Sequence, residues 1–217
     1  MATTLPFLSA STATVKEIKS VCVFCGSGAG ADPLYAEHAT ELGKALAEKK
    51  YTLVYGGGSV GLMGAVAKAV LEEGSRAKAI VPEPLFREGS KQIAEVTIVP
   101  DMHTRKRTMG DECDAFVVLP GGFGTMEEML EMITWSQLNI HSKPILLLNT
   151  KNYFDLFVQW IKHSVQEKFV HAANTDIFVV CDTVEDVLEK LQTYQAPASR
   201  YCLDWVTKDG KDGRQMV

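Results

Sequence analysis

Ala115-Phe116-Val117-Val118-Leu119-Pro120-Gly121-Gly122-Phe123-Gly124-Thr125-Met126-Glu127-Glu128 is the stretch that decides the fold. An apolar, partly β-branched run breaks at Pro-Gly-Gly and restarts as Met-, Glu- and Leu-rich sequence. That succession predicts a buried strand, a tight loop and a helix. The glycines let the chain turn sharply and bring its backbone close to a ligand, because they carry no Cβ. Thr125 and the free N–H groups at the start of the helix then face that ligand, where the helix dipole favours an anion. Glu128 is expected in the first turn. A carboxylate beside an anion site repels the anion, so its presence points to chemistry next to a bound phosphate.

Outward from this unit the same pattern repeats. Strand-like apolar runs are expected at 21–25, 51–55, 77–81, 96–99, 115–119, 144–148 and 177–181. Helix-period segments are expected at 33–49, 62–73, 106–113, 126–138, 153–168 and 184–193. Continuous apolar strands, as opposed to alternating ones, suit a parallel sheet covered on both faces. The predicted fold is therefore α/β: a Rossmann-like, doubly wound sheet of about seven mostly parallel strands, with helices on both faces. Ligands in such sheets bind beyond the carboxyl ends of the strands. No internal repeat or linker divides the chain. We expect a flexible N-terminal arm over 1–18, a single domain over 19–194 and a mobile C-terminal tail over 195–217, which Tyr201, Leu203 and Trp205 could anchor.

Composition narrows the function classes. The 217 residues, 46% hydrophobic, suffice for one α/β domain with a full core. A formal net charge of −5 argues against non-specific nucleic-acid binding, which needs a basic face. No apolar run is long enough to cross a bilayer and no signal peptide opens the chain, so no membrane association and a cytoplasmic location are expected. The five cysteines, Cys22, Cys25, Cys113, Cys181 and Cys202, are an odd number placed mostly inside predicted elements, which suits reduced thiols. Cys22 and Cys25 have C-x-x-C spacing but lie along a strand, so they read as core instead of a redox pair. His103, His141 and His163 show no metal-ligand spacing with thiols or carboxylates, and no metal is expected.

Three strands end in small residues: Gly26-Ser27-Gly28, Gly56-Gly57-Gly58-Ser59-Val60-Gly61, and Pro120-Gly121-Gly122. One glycine-rich loop is weak evidence; three on one sheet edge suit a nucleotide-sized site. The middle loop also fits G-x-G-x-x-G, with Glu83 near where a ribose-binding acid would lie, so an NAD-dependent oxidoreductase stays open. A non-catalytic nucleotide-binding module is a further alternative. Asp101-Met102-His103-Thr104-Arg105-Lys106-Arg107 follows another strand end. There Arg105 can present a rigid fork to a phosphate, a carboxylate or a purine nitrogen. Arg107 reads as surface. Trp135 reads as core or subunit contact, with lining of the ligand pocket as the alternative.

Pro-Gly-Gly-x-Gly-Thr-x-x-Glu at 120–128, Met-His-x-Arg-Lys at 102–106 and Gly-Gly-Gly-x-x-Gly-Leu-Met-Gly at 56–64 together resemble the Lonely Guy (LOG) family. Cys-Gly-Ser at 25–27, Thr-Trp-Ser-Gln-Leu at 134–138 and His-Ser-Lys-Pro at 141–144 match as well. The resemblance covers roughly residues 18–193. It implies a cofactor-free phosphoribohydrolase that cleaves the N-glycosidic bond of an adenosine 5′-monophosphate, often N6-prenylated, to free base (a cytokinin or adenine) and ribose 5-phosphate. It further implies Arg105 and Glu128 as the catalytic pair. Gly58, Gly121, Gly122, Gly124 and Thr125 would serve the phosphate, and Ser27, Met102 and Lys106 would frame the nucleotide. Relatives were long labelled lysine decarboxylases, but no lysine here sits where a pyridoxal phosphate Schiff base would be expected. The resemblance also implies a homodimer, with the helix expected at 126–138 near the interface.

Overall fold

The computed structural model describes residues 17–86 and 93–205. Seven strands form one sheet: β1 (Ser20–Phe24), β2 (Thr52–Tyr55), β3 (Ala77–Pro82), β4 (Glu95–Val99), β5 (Ala115–Val118), β6 (Ile145–Leu148) and β7 (Val179–Cys181). Their order across the sheet is β4-β3-β2-β1-β5-β6-β7. Every pairing is parallel, so all seven carboxyl ends lie on one edge. The chain winds outward from β1 to β4, then returns to start β5 on the other side of β1. That reversal makes the β1–β5 boundary the topological switch point.

Strand side chains alternate between two cores, as the pleat requires. Val21, Val23, Leu53, Tyr55, Ala79 and Val117 point to one face. It is covered by α1 (Leu34–Glu48), α2 (Gly61–Glu72) and α6 (Val184–Thr193). Cys22, Phe24, Val54, Ile80, Phe116 and Leu147 point to the other. That face carries α3 (Met102–Asp111), α4 (Phe123–Gln137) and α5 (Asp155–Gln166). Both faces of the central strands are dry, which is why those strands read as unbroken apolar runs. β4 is an edge strand, and Thr97 and Ile98 there are exposed.

The expected elements all form, most with shifted ends. α3 starts at Met102, four residues before the expected 106, because the Asp101 carboxylate accepts the Thr104 N–H at 2.7 Å and caps it. α4 starts at Phe123, three residues before the expected 126, so Glu128 lies in the second turn and not the first. Ile18 is buried in the first core, so the body begins inside the expected arm; the rest of that arm, 1–16, lies outside the described residues.

Over 195–205 the segment expected as a tail makes contacts with the body, the anchoring that Tyr201, Leu203 and Trp205 left open. Arg200 donates to the carbonyls of Ser136 and His141 at 3.1 and 2.7 Å. The Tyr201 N–H reaches the Gln137 carbonyl at 3.0 Å, and the Trp205 indole N–H reaches that of Leu138 at 2.9 Å. A helix leaves its last carbonyls without intrahelical donors, and this segment supplies donors to the end of α4. Residues 206–217 lie outside the described residues.

Candidate active site

At the switch point the Gly26 N–H donates to the Pro120 carbonyl at 3.0 Å, joining the loops that follow β1 and β5. A Cβ on Gly121 would lie 2.1 Å from the Thr125 Oγ1 and 2.9 Å from the Gly26 nitrogen. Glycine is therefore required there for Thr125 to fold back under the loop. Gly122 caps α4 without a side-chain acceptor, and nothing lies within 4 Å of where Cβ atoms would stand on Gly122 or Gly124. The start of α4 thus lacks a side-chain cap and has room beside Gly122 and Gly124, the setting a helix N-terminus offers an anion.

One turn further, Glu128 is buried, 7% exposed, and meets Arg105, 9% exposed. An Arg105 Nη1 hydrogen bond reaches Glu128 Oε1 at 2.6 Å, and its Nε–H donates to the Ile80 carbonyl at 3.1 Å. The guanidinium is thereby held between β3 and α4. It occupies the space over Gly56, where a Cβ would lie 2.2 Å from its Nη2. Burial raises the Glu128 pKa above the ordinary 4.5, and the charge and hydrogen bond of Arg105 pull against that rise. A carboxylate and a cation, nearly dry and paired one turn from the N-terminus of α4, suit a reaction that builds charge in its transition state.

Other expected residues fall in different places. Lys106 is buried and ion-paired with Glu127 and, at 2.9 Å, with Glu131, so its charge is directed along α4. Thr125 is buried, with its hydroxyl close against Gly121. Ser27 is exposed beside Gly26 at the switch point, and Met102, 42% exposed, opens α3 at the same sheet edge. In the G-x-G-x-x-G segment the glycines serve contacts within the protein. Gly57 and Gly61 have positive φ, a Cβ on Gly58 would strike Met63, and one on Gly61 would lie 2.1 Å from the Ser27 carbonyl oxygen. Those close approaches account for the spacing without a dinucleotide. Glu83 is exposed after β3, two strands from the switch point. Trp135 packs in the second core, 3.8 Å from where a Cβ on Gly110 would stand, and lies about two turns beyond Glu128 on α4.

A family model described as "Possible lysine decarboxylase" matches residues 63–191. A cytokinin riboside 5′-monophosphate phosphoribohydrolase of Arabidopsis thaliana is 44% identical over 184 residues, covering 84% of this chain and 85% of the relative. A probable enzyme of the same name from Oryza sativa subsp. japonica is 45% identical over 178 residues, covering 81% of this chain and 71% of the relative. The chain belongs to the LOG family. Solved structures carry the same fold at lower identity. The molybdenum cofactor carrier protein of Chlamydomonas reinhardtii aligns with a TM-score of 0.62 at 20% identity, over 82% of this chain and all of that one. The molybdenum cofactor binding protein of Rippkaea orientalis aligns at 0.61 and 18%, over 81% and 96%.

Within this LOG-family chain, several residues of the site escaped the sequence reading. Gly56 as the seat of a guanidinium could not be seen, because the arginine arrives from 49 positions away. Glu127 and Glu131 as partners of Lys106 were visible only as a helical i, i+4 pair of acids, a pattern that solvated helix faces share. Tyr153, whose hydroxyl donates to the Gly121 carbonyl, gave no signal in sequence beyond its position after β6.

Proposed function

We propose that this protein hydrolyses the N-glycosidic bond of an adenosine 5′-monophosphate, with N6-prenylated forms in its substrate range, releasing free base and ribose 5-phosphate. The names and 44–45% identity of the relatives support that reaction. The observation that carries it here is the buried Arg105–Glu128 pair one helical turn from the open N-terminus of α4. Gly124 and Glu128 stand four residues apart, on one helix face and about 6 Å along the axis, a separation that ribose 5-phosphate can bridge.

With the 5′-phosphate at Gly122 and Gly124, the ribose lies against Glu128. Breaking the bond from C1′ to the base nitrogen places positive charge on the sugar, as in other glycoside chemistry. The Glu128 carboxylate stabilises that charge and takes a proton from the water that attacks C1′. The base nitrogen gains the electron pair of the broken bond and takes a proton from a second water, and the hydroxide so formed recovers the proton held by Glu128. Arg105 is too weak an acid to protonate the base, and serves by orienting Glu128 and by its charge. Phosphate binding remote from the reacting bond lowers the barrier, so the free nucleoside is the poorer substrate. No cofactor is needed in this scheme.

The test is chromatographic analysis of products from AMP and N6-isopentenyladenosine monophosphate, with wild type run beside Glu128→Gln. Free base from wild type, and a rate about 10²–10⁴-fold lower for the folded variant, is the expected result. Equal release by both proteins removes Glu128 from the chemistry. No release by either removes the hydrolase reading. We further take the protein to act as a homodimer in the cytoplasm. The free, mostly buried cysteines support the location. Exposed Phe123 on α4, and Leu156 and Trp160 on α5, supply apolar surface for a partner subunit.

A further inference from the structure

We infer that Tyr153 is a positioning residue for the phosphate-binding loop, fixing the Gly121–Gly122 peptide so that its N–H and not its carbonyl serves the anion. The inference rests on the nucleotide reading above. After β6 the chain makes a constrained turn: Lys151 and Asn152 stand consecutively at φ 55° and 59°, a left-handed conformation that side-chain-bearing residues seldom adopt. The turn delivers Tyr153 to the neighbouring β5 loop, where its hydroxyl donates to the Gly121 carbonyl.

The ring is braced from two sides. Tyr35 and Phe154 meet it edge-on, with centroids at 6.2 and 5.2 Å. Lys151 in the turn pairs with Asp32 of the β1–α1 loop at 2.6 Å, and His38 of α1 bonds the Thr150 hydroxyl at 2.9 Å. These contacts tie the turn to the loop and helix that follow β1, on the far side of β5, so the tyrosine is held from a frame that spans the switch point.

The reason such a brace matters lies in the peptide it grips. Glycine on both sides accepts either sign of φ, so this peptide plane can rotate at little steric cost. In a trans peptide the carbonyl and the N–H point in opposite directions. Holding the Gly121 carbonyl toward Tyr153 therefore holds the Gly122 N–H away from it. The rotated peptide would instead turn its carbonyl oxygen away from Tyr153 and toward the helix N-terminus, where it repels a phosphate.

Tyr153→Phe removes the hydroxyl and keeps the ring contacts. The experiment measures AMP hydrolysis, with ribose 5-phosphate and adenine each as competing inhibitors, for wild type and variant, alongside thermal unfolding. The expected result is a KM for AMP and an inhibition constant for ribose 5-phosphate both raised about five- to thirtyfold, the size of one lost hydrogen bond to a charged-ligand site. The adenine inhibition constant and Tm stay near wild type. An unchanged ribose 5-phosphate constant, or an adenine constant raised by the same factor, overturns the role given to Tyr153. Wild type that neither turns over AMP nor binds ribose 5-phosphate overturns the nucleotide reading itself, and the inference with it.

Discussion

At Gly56 a Cβ would collide with the end of the Arg105 side chain, a flexible group that can yield, and come within 3.2 Å of the Met63 sulfur. Gly56→Ala should therefore fold but push the guanidinium off Glu128, lowering kcat/KM by about tenfold or more while Tm falls by only a few degrees. An alanine variant with wild-type turnover would show that the observed seat of Arg105 is dispensable. The pH dependence follows from the same pair. Glu128 must be ionised to act, and burial has raised its pKa, so activity is lost as pH falls through a value above the ordinary 4.5. The acid limb of kcat/KM should lie above that of an exposed glutamate and be missing in Glu128→Gln. Arg105→Ala removes the opposing charge and should move the limb further up; a limb that stays in place would mean that another group sets it. Glu128 and Arg105 stood out in the sequence as a carboxylate and a fork of donors just after strand ends, although a solvated basic face is the usual explanation of a cation run like 105–107. The partners of Lys106 and the inward turn of Thr125 did not, since each depends on a neighbour from another turn or loop.

Element ends, more than element identities, separated sequence from structure. α3 begins four residues early because Asp101 caps it, and that shift puts Arg105 on the first turn of a helix, where its direction is fixed, in place of a loop. Asp101→Ala should lower Tm by about 2–4 °C and weaken turnover, because the turn that aims Arg105 frays. Full activity with the lower Tm would show that the cap serves stability alone. The hydrogen bond from the Thr104 N–H also depresses the Asp101 pKa, so the cap is present at neutral pH and lost as acid protonates it. At α6 the expected span, 184–193, is the observed one, and in the structure Thr183 and Asp186 form a capping box at its start. At α4 the cap is Gly122, which offers no side-chain oxygen, and so the start went unread. The missing cap leaves the N–H groups open where the phosphate is proposed to bind.

Across the whole molecule, the sheet gathers segments distant in sequence on one edge: the stretches 26–28, 56–61, 101–106 and 120–128 all follow parallel strands. The proposed homodimer belongs to this scale. Light scattering should give twice the chain mass, and Leu156→Lys with Trp160→Lys should shift it toward the monomer; a monomeric wild type would refute the assembly. What the sequence by itself determined was local and periodic. It comprised the alternation of strand and helix, the burial of the sheet on both faces, the glycine breaks at three strand ends, and the motifs that mark the LOG family. These are legible because hydrophobic periodicity and backbone preference act over a few residues. The tertiary structure alone decided that β5 returns beside β1, that Gly56 yields its space to Arg105, that Arg105 meets Glu128 23 positions away, and that residues 200–205 cap α4. Each is a contact between distant segments, fixed by which surfaces pack best once the elements exist, and no local pattern encodes that choice.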